Sequence, residues 1–348
     1  MKNLVSFNGV KRFYCLHVPA SYKPTSPTPI VFVFHGSGGT AYGTERSSGF
    51  TPVAEENGFI AIYPQGLGTS RAEMGQPKII TILPSIPTRE PSGWNSGSSE
   101  SYSSMHNLDD LGFIMEILEK SKSELNVDER KVYSTGLSNG GGMTKTLGLL
   151  MPQVFAALAP VSAGTGLSID YSQEQVTPLP TMLIHGTADT TIPYYKGIMG
   201  KGITSSFEYA KDLYKSFNRC TGSPQITQIG NITRERYTLH ENNCAQDLDL
   251  ISVQGGGHKW YGWQAQTIWG SSNPTQKKAD ALQPMHGSQW APLLPMLKGF
   301  FFQRSACTFW YYCATGKARG TSKTALAAGR TFPSAKKAKR RQLQQARS

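Results

Sequence analysis

The chain has 348 residues, 38% of them hydrophobic, with 36 glycines and 21 prolines, which suits one large loop-rich α/β domain or two smaller ones. Its formal net charge of +12 belongs to one end: twelve Lys and Arg and no acid follow Asp280, and the 280 residues up to it carry 23 of each sign, which excludes a uniformly basic surface built for nucleic acid. No apolar run approaches the ~20 residues of a membrane-spanning helix, and the five cysteines, Cys15, Cys220, Cys244, Cys307 and Cys313, include no C-x-x-C pair of the zinc or redox kind.

The opening Met1-Lys-Asn-Leu-Val-Ser-Phe-Asn-Gly is too short and polar for a secretory leader. A complete N-terminus would make the protein cytoplasmic; otherwise the sequence is a mature or truncated form. Residues 4–20 alternate as strands do, up to Pro19. Ile30-Val-Phe-Val-Phe34 is a buried-strand run that opens onto His35-Gly-Ser37-Gly-Gly39. Phe50 to Asn57 reads as a helix stopped by Gly58, and Phe59-Ile-Ala-Ile-Tyr63 as the next strand. Residues 67–105 form a long Gly/Ser/Pro-rich insertion, and long loops in compact domains are often functional. Its Trp94 and Tyr102 are either substrate-facing aromatics or anchors of the loop. Leu108 to Leu125 is an amphipathic helix with Leu111, Ile114, Met115 and Leu118 on one face. Asp109 and Asp110 sit in its first turn, where capping is expected of both.

Asn126–Arg130 reads as a turn into the strand around Val132-Tyr-Ser-Thr, which ends in Gly136-Leu-Ser138-Asn-Gly140 with a helix to about Leu150 after it. This G-x-S-x-G pattern between strand and helix is the nucleophile elbow. Small neighbours let the serine hydroxyl stand above the sheet edge, and the helix N-terminus aims backbone N–H groups at developing negative charge. Val154–Val161 and Thr181-Met-Leu-Ile-His185 are further strands, the second opening onto Gly186-Thr-Ala-Asp189. That aspartate either orients a histidine or closes an Asx-turn. Phe207–Phe217 is helical, and Leu248–Val253 is a late strand running into Gly255-Gly-Gly-His258-Lys-Trp260. His35 and His185 end strands, where bonds to their own loops are the expected use. Leu297–Phe302 reads as a closing helix.

Ser138, Asp189 and His258 thus each follow a strand, in the chain order Ser…Asp…His of the α/β-hydrolases. Strands alternating with helices argue separately for a mostly parallel, doubly wound sheet with helices on both faces. Such sheets bind ligands beyond the strand C-termini.

The sequence also resembles the feruloyl esterase / polyhydroxybutyrate depolymerase family of α/β-hydrolases. The resemblance rests on His35–Gly39, Asn57–Gly66, Val132–Gly141, Phe155–Val161, His185–Asp189 with Pro193-Tyr194, and Gly255–Trp260, and runs from about residue 5 to 263. It implies Ser138 as nucleophile, Asp189 as orienting acid and His258 as base, with backbone oxyanion donors at Ser37 and Asn139. It further implies a Cys220–Cys244 disulfide and a secreted protein; the candidate substrate contacts are His35, Trp94, Trp260 and Trp263. The chain departs from the family pattern at Gly142, where methionine is usual, at Tyr261, where proline is common, and in loop 67–105, which lacks the cysteines of several members. The implied activity is a serine carboxylic-ester hydrolase acting through an acyl-enzyme, foremost on phenolic esters of plant polysaccharide, with no metal or cofactor and no nucleic-acid partner. The alternatives are a polyester depolymerase and a non-catalytic binding protein on the same fold. Residues 1–304 are expected to be the catalytic domain. Residues 305–348 are expected to be a disordered basic tail, with a polyanion- or membrane-binding arm and an altered reading frame as the other readings.

Overall fold

The computed structural model describes residues 2–68, 91–97, 101–166, 169, 176–195, 198–199 and 204–261. The chain divides into two units, Met1–Phe301 and Phe302–Ser348. Every described residue belongs to the first. The tail expected over 305–348, the segment 297–302, Trp263 and the greater part of loop 67–105 lie outside the described residues.

Among the described residues, ten strands form one sheet. Its centre is parallel: β4 (Ile60–Pro64), β3 (Thr28–Phe34), β5 (Val127–Leu137), β6 (Ala157–Val161), β7 (Thr181–Gly186) and β12 (Leu248–Val253) lie side by side in that order. An antiparallel pair flanks each end: β1 (Lys2–Phe7) with β2 (Val10–His17) beside β4, and β10 (Gln225–Ile229) with β11 (Ile232–Tyr237) beside β12. A separate two-stranded ribbon joins β8 (Ile198–Met199) to β9 (Thr204–Ser205). The helices are α1 (Ala41–Ser47), α2 (Phe50–Asn57), α3 (Tyr102–Met105), α4 (Asp110–Glu124), α5 (Asn139–Leu150) and α6 (Phe207–Phe217).

The pattern of burial explains the layers. Every residue of β4, β6, β7 and β12 is buried, as expected of parallel strands covered on both faces. Alternate residues of β3 serve different sides. Ile30, Phe32 and Phe34 join Phe113, Ile114 and Ile117 of α4 and Met143 and Leu147 of α5 in one core, while Val31 and Val33 between them are equally buried. A second core sets Phe207, Leu213, Tyr214 and Phe217 of α6 against Leu183 and Leu250. The edge strand β10 is exposed along its whole length. Just before that hairpin and just after it, Cys220 and Cys244 are joined in a disulfide with Cα atoms 4.1 Å apart.

Several element boundaries differ from the sequence reading. The polar stretch expected as a turn at 126–130 belongs to β5, which pairs Thr28 with Val127, shifts register, and resumes at Ile30 opposite Val132. The shift accommodates Asp128-Glu-Arg-Lys131 without burying four charges in the ladder. Strand β6 starts at Ala157 rather than Val154, whose N–H closes a turn on Met151 O at 3.0 Å. The buried face of α4 is Phe113, Ile114, Ile117, Leu118 and Ser121, with Leu111 and Met115 at its margin.

The two aspartates of α4 also separate. Asp109 is the N-cap, its Oδ1 accepting from Gly112 N–H at 2.8 Å. Asp110 does not cap. Its Oδ2 accepts from Asn95 N–H at 2.8 Å and its Oδ1 lies 2.7 Å from Arg12 Nη2. The Arg12 guanidinium covers the Phe113 ring at 3.6 Å and reaches Gln65 O at 3.2 Å. Both side chains of the pair are almost wholly buried, 2% and 1% exposed. A buried charge persists only when paired, and removing one partner strands the other. We expect Asp110→Ala to lower unfolding free energy by about 3–5 kcal/mol in urea titration. A change within 1 kcal/mol, a tolerance set by the ±0.5 kcal/mol of ordinary surface substitutions, would contradict this reading of the pair.

Candidate active site

Three of the expected residues lie beyond the same edge of the sheet because the strands that carry them are parallel. Ser138 follows β5, Asp189 lies three residues after β7, and His258 lies five residues after β12. Strands β7 and β12 are neighbours, and their loops are stitched together. Thr187 N–H donates to Val253 O at 2.9 Å, Ala188 N–H to Gly256 O at 2.9 Å, and Gly255 N–H to Thr187 Oγ1 at 2.9 Å. Tyr261 reinforces the turn through its hydroxyl bond to Gly257 O.

The serine sits in a strained backbone conformation, φ 56° and ψ −122°, at the junction of β5 and α5. A non-glycine residue there persists only when its surroundings hold it. The neighbouring glycines supply that hold by close approach. A Cβ on Gly136 would strike Gly140 O, and one on Gly140 would strike His35 O and Phe34 O. The first turn of α5 therefore lies directly on the ends of β3 and β5, and Ser138 N–H is fixed to Val161 O at 3.0 Å.

The loop after β3 runs beside the serine: a Cβ added to Gly36 would lie 3.3 Å from Ser138 Cβ. Gly38 N–H donates to Ser92 O at 2.7 Å and Gly39 N–H to Gly36 O at 3.0 Å. Among the described residues, the backbone N–H groups of Ser37 and Asn139 take no part in these bonds. Ser37 is exposed, and Asn139 opens α5.

The aspartate and the second histidine are joined. His258 Nδ1 donates to Asp189 Oδ2 at 2.8 Å. A carboxylate only accepts, so Nδ1 carries the proton and Nε2 is left as a base. Asp189 Oδ1 accepts from Thr191 and Ile192 N–H, both at 2.9 Å. The Asx-turn and the histidine-orienting role are therefore both present in one carboxylate. Burial would raise the Asp189 carboxyl, but the hydrogen bond from His258, the electrostatic attraction of the His258 and His185 rings and the Ile192 N–H outweigh it and hold the group below its ordinary value. Among the described residues no hydrogen bond joins the Ser138 hydroxyl to His258. Unliganded sites often close that contact only around a substrate.

Two of the candidate substrate contacts, Trp94 and His35, take the loop-holding alternative. Trp94 is fully buried. Its ring meets Phe34 edge-on at 5.1 Å and its Nε1–H donates to His35 O at 2.9 Å, so it anchors the loop. An indole in that position satisfies its polar atom on the backbone and has no face left for a ligand. His35 is buried as well, its Nε2 accepting from Gly66 N–H at 2.9 Å and its Nδ1 lying 2.8 Å from Gly36 O. Burial pushes its pKa down to about 4, against the backbone bond to Gly36, so the ring stays neutral near pH 7. Trp260 is partly exposed, its ring edge-on to Phe50 at 6.1 Å. Tyr102 packs on His106, ring centroids 4.3 Å apart.

Several supporting residues carry no sequence motif. The Asn139 side chain clamps segment 94–96: Oδ1 accepts from Trp94 N–H at 2.7 Å, and Nδ2 donates to Ser96 Oγ at 2.9 Å. Gln65 holds the loop from the other side, accepting from Ala41 N–H at 2.8 Å. Lys145, in the middle of α5, is buried. Its Nζ donates to Ala163 O at 2.8 Å and Thr165 Oγ1 at 3.3 Å, and desolvation pushes it down to about 7. Among the described residues no cluster of three His, Cys, Asp or Glu is arranged to hold a metal ion, and no helix is long and apolar enough to cross a membrane.

No family model matches the chain. Among curated proteins it is similar to feruloyl esterase B of Piromyces equi, 28% identical over 251 residues, which cover 69% of this chain and 41% of that protein. It is 26% identical over 262 residues to feruloyl esterase C of Emericella nidulans, covering 72% of this chain and 78% of that one. The chain thus spans about two fifths of the first relative and most of the second. Among solved structures, an acetyl xylan esterase from Aspergillus awamori superposes with a TM-score of 0.48 at 18% identity, over 74% of this chain and 94% of that one.

The buried lysine makes a thermodynamic prediction. An unfolded lysine keeps its proton to about pH 10.4, whereas folded Lys145 loses it near 7. Between those values the unfolded state binds more protons, so this group makes stability rise with pH and leaves it flat below. We expect the melting temperature of the native protein to climb from pH 7 to 9 relative to Lys145→Met, measured calorimetrically in matched buffers. Parallel curves would show that Lys145 keeps its charge when folded.

Proposed function

We propose that this chain, which is similar over most of its length to feruloyl esterases, hydrolyses carboxylic esters of plant polysaccharide through Ser138, Asp189 and His258, with feruloyl esters as the leading substrates. The observation that carries the proposal is the 2.8 Å bond from His258 Nδ1 to Asp189 Oδ2 on the sheet edge that also bears the strained Ser138.

In this reading His258 Nε2 takes the Ser138 proton as the hydroxyl attacks the ester carbonyl. The C–O bond that forms leaves a tetrahedral oxyanion, which the N–H groups of Ser37 and Asn139 receive beside the N-terminus of α5. His258 then returns the proton to the departing alcohol, leaving an acyl-serine. Water, deprotonated by the same histidine, releases the acid and restores Ser138. Asp189 keeps the imidazole in the productive tautomer and balances its transient charge. Trp260, partly exposed beside Phe50, is the aromatic proposed to meet the acyl or sugar part.

A panel of methyl ferulate, feruloylated arabinoxylan, acetylated xylan, an aryl acetate and a polyhydroxybutyrate film tests the substrate class, with feruloyl esters expected to give the highest kcat/KM. Ser138→Ala should cut turnover at least about a thousandfold and abolish labelling by a fluorophosphonate, and Asp189→Asn should cost about 10⁴-fold. Undiminished turnover in Ser138→Ala would remove the serine mechanism. No turnover and no labelling of the native protein would favour a non-catalytic role.

A further inference from the structure

A second histidine stands behind Asp189. His185 is fully buried and ends β7. Its Nε2 lies 2.7 Å from Ile192 O, and since a carbonyl oxygen only accepts, the proton is on Nε2. The same Nε2 is 3.4 Å from Asp189 Oδ2, the oxygen that receives His258. The opposite nitrogen, Nδ1, is buried and has no hydrogen-bond partner among the described residues. A second proton would have to sit there, unpaired and out of water, which opposes a charged ring. Phe207 stacks on the imidazole at 4.8 Å and Tyr194 closes it from the side at 6.2 Å.

The Asp189 carboxylate has no exposed side-chain surface. Its oxygens accept three hydrogen bonds, from Thr191 and Ile192 N–H on Oδ1 and from His258 on Oδ2, and His185 Nε2 lies 3.4 Å from Oδ2. We propose that His185 is a positioning residue for the ester hydrolysis, its Nε2–H holding the 189–192 turn and moderating the negative charge that Asp189 presents to His258. The proposal rests on the reading of Asp189 and His258 given above. Without that N–H, Asp189 Oδ2 has only His258 to interact with. The imidazolium form of His258 is then favoured more, and less of the free base is present at a given pH. The other titratable groups facing His185 are Lys145 on α5 and Tyr194, whose hydroxyl lies 2.6 Å from Ser252 Oγ. Burial, opposed by the Asp189 charge and the Ile192 carbonyl, pushes His185 down to about 4, so it stays neutral near pH 7.

The test compares His185→Phe, which keeps a ring and removes the donor, with His185→Gln, whose amide can reach Ile192 O. Should the Phe variant fail to fold, His185→Met replaces it. The primary readout is the His258 titration followed by imidazole NMR, which needs no activity. We expect the donor-free variant to raise the His258 midpoint by about half a unit to one unit and the Gln variant to leave it near native. On methyl ferulate, with active sites counted by fluorophosphonate, the acidic limb of kcat/KM should move by the same amount. There kcat should fall about tenfold with KM within about twofold, since loss of positioning acts on the transition state. An unmoved His258 midpoint in a folded donor-free variant overturns the proposal, as does an equal shift in the Gln variant. Absence of ester turnover in the native protein, with the NMR shift present, would instead discard the esterase reading and leave the coupling standing.

Discussion

The first turn of α5 lies so close to the ends of β3 and β5 that no side chain fits at Gly136 or Gly140. This contact sets the backbone of Ser138 at positive φ, a conformation that a serine adopts only under restraint. It brings Asn139 to the head of a twelve-residue helix, and it lays the loop after β3 along the serine. A larger residue at either glycine would separate helix from sheet and undo all three arrangements together.

Around that contact the polar groups are satisfied in a chain that reaches the far edge of the domain. Asn139 binds segment 94–96, Trp94 binds the His35 carbonyl, and Asn95 binds Asp110, which faces Arg12 of β2. The loop proposed to receive an oxyanion is therefore braced by residues far from it in sequence. On the other side the loops after β7 and β12 brace each other through backbone bonds of Thr187 to Val253 and Ala188 to Gly256.

Much of this was legible in the residues. The glycines around Ser138 declared a turn between strand and helix, and the bounds of α2, α6 and β12 coincide with those read from pattern and punctuation. Gly58 in the left-handed region ends α2, apolar residues at helical spacing mark α6, and a mostly apolar six-residue run marks β12. What stayed hidden depends on distant partners. Nothing in the neighbourhood of Trp94 tells whether its indole faces solvent or the His35 carbonyl. Asp110 looks like a helix cap until Arg12, far along the chain, takes its charge. Lys145 reads as a surface lysine on a helix whose other residues are apolar or small, and only the Ala163 carbonyl and Thr165 hydroxyl explain its burial. The β10–β11 hairpin escaped because an exposed edge strand has no buried face and so no alternation to read.

The Trp94 anchor has an optical consequence. Indole emission depends on the polarity around the ring and on the fate of its N–H. Trp94 lies in an apolar setting with that N–H given to the backbone beside the serine. Its share of the ultraviolet fluorescence, isolated by subtracting the spectrum of a phenylalanine variant at that position, is expected to be blue-shifted and to respond to the seating of the loop after β3. The protein thus contains a native chromophore that reports on this loop in solution, without an added dye and without turnover.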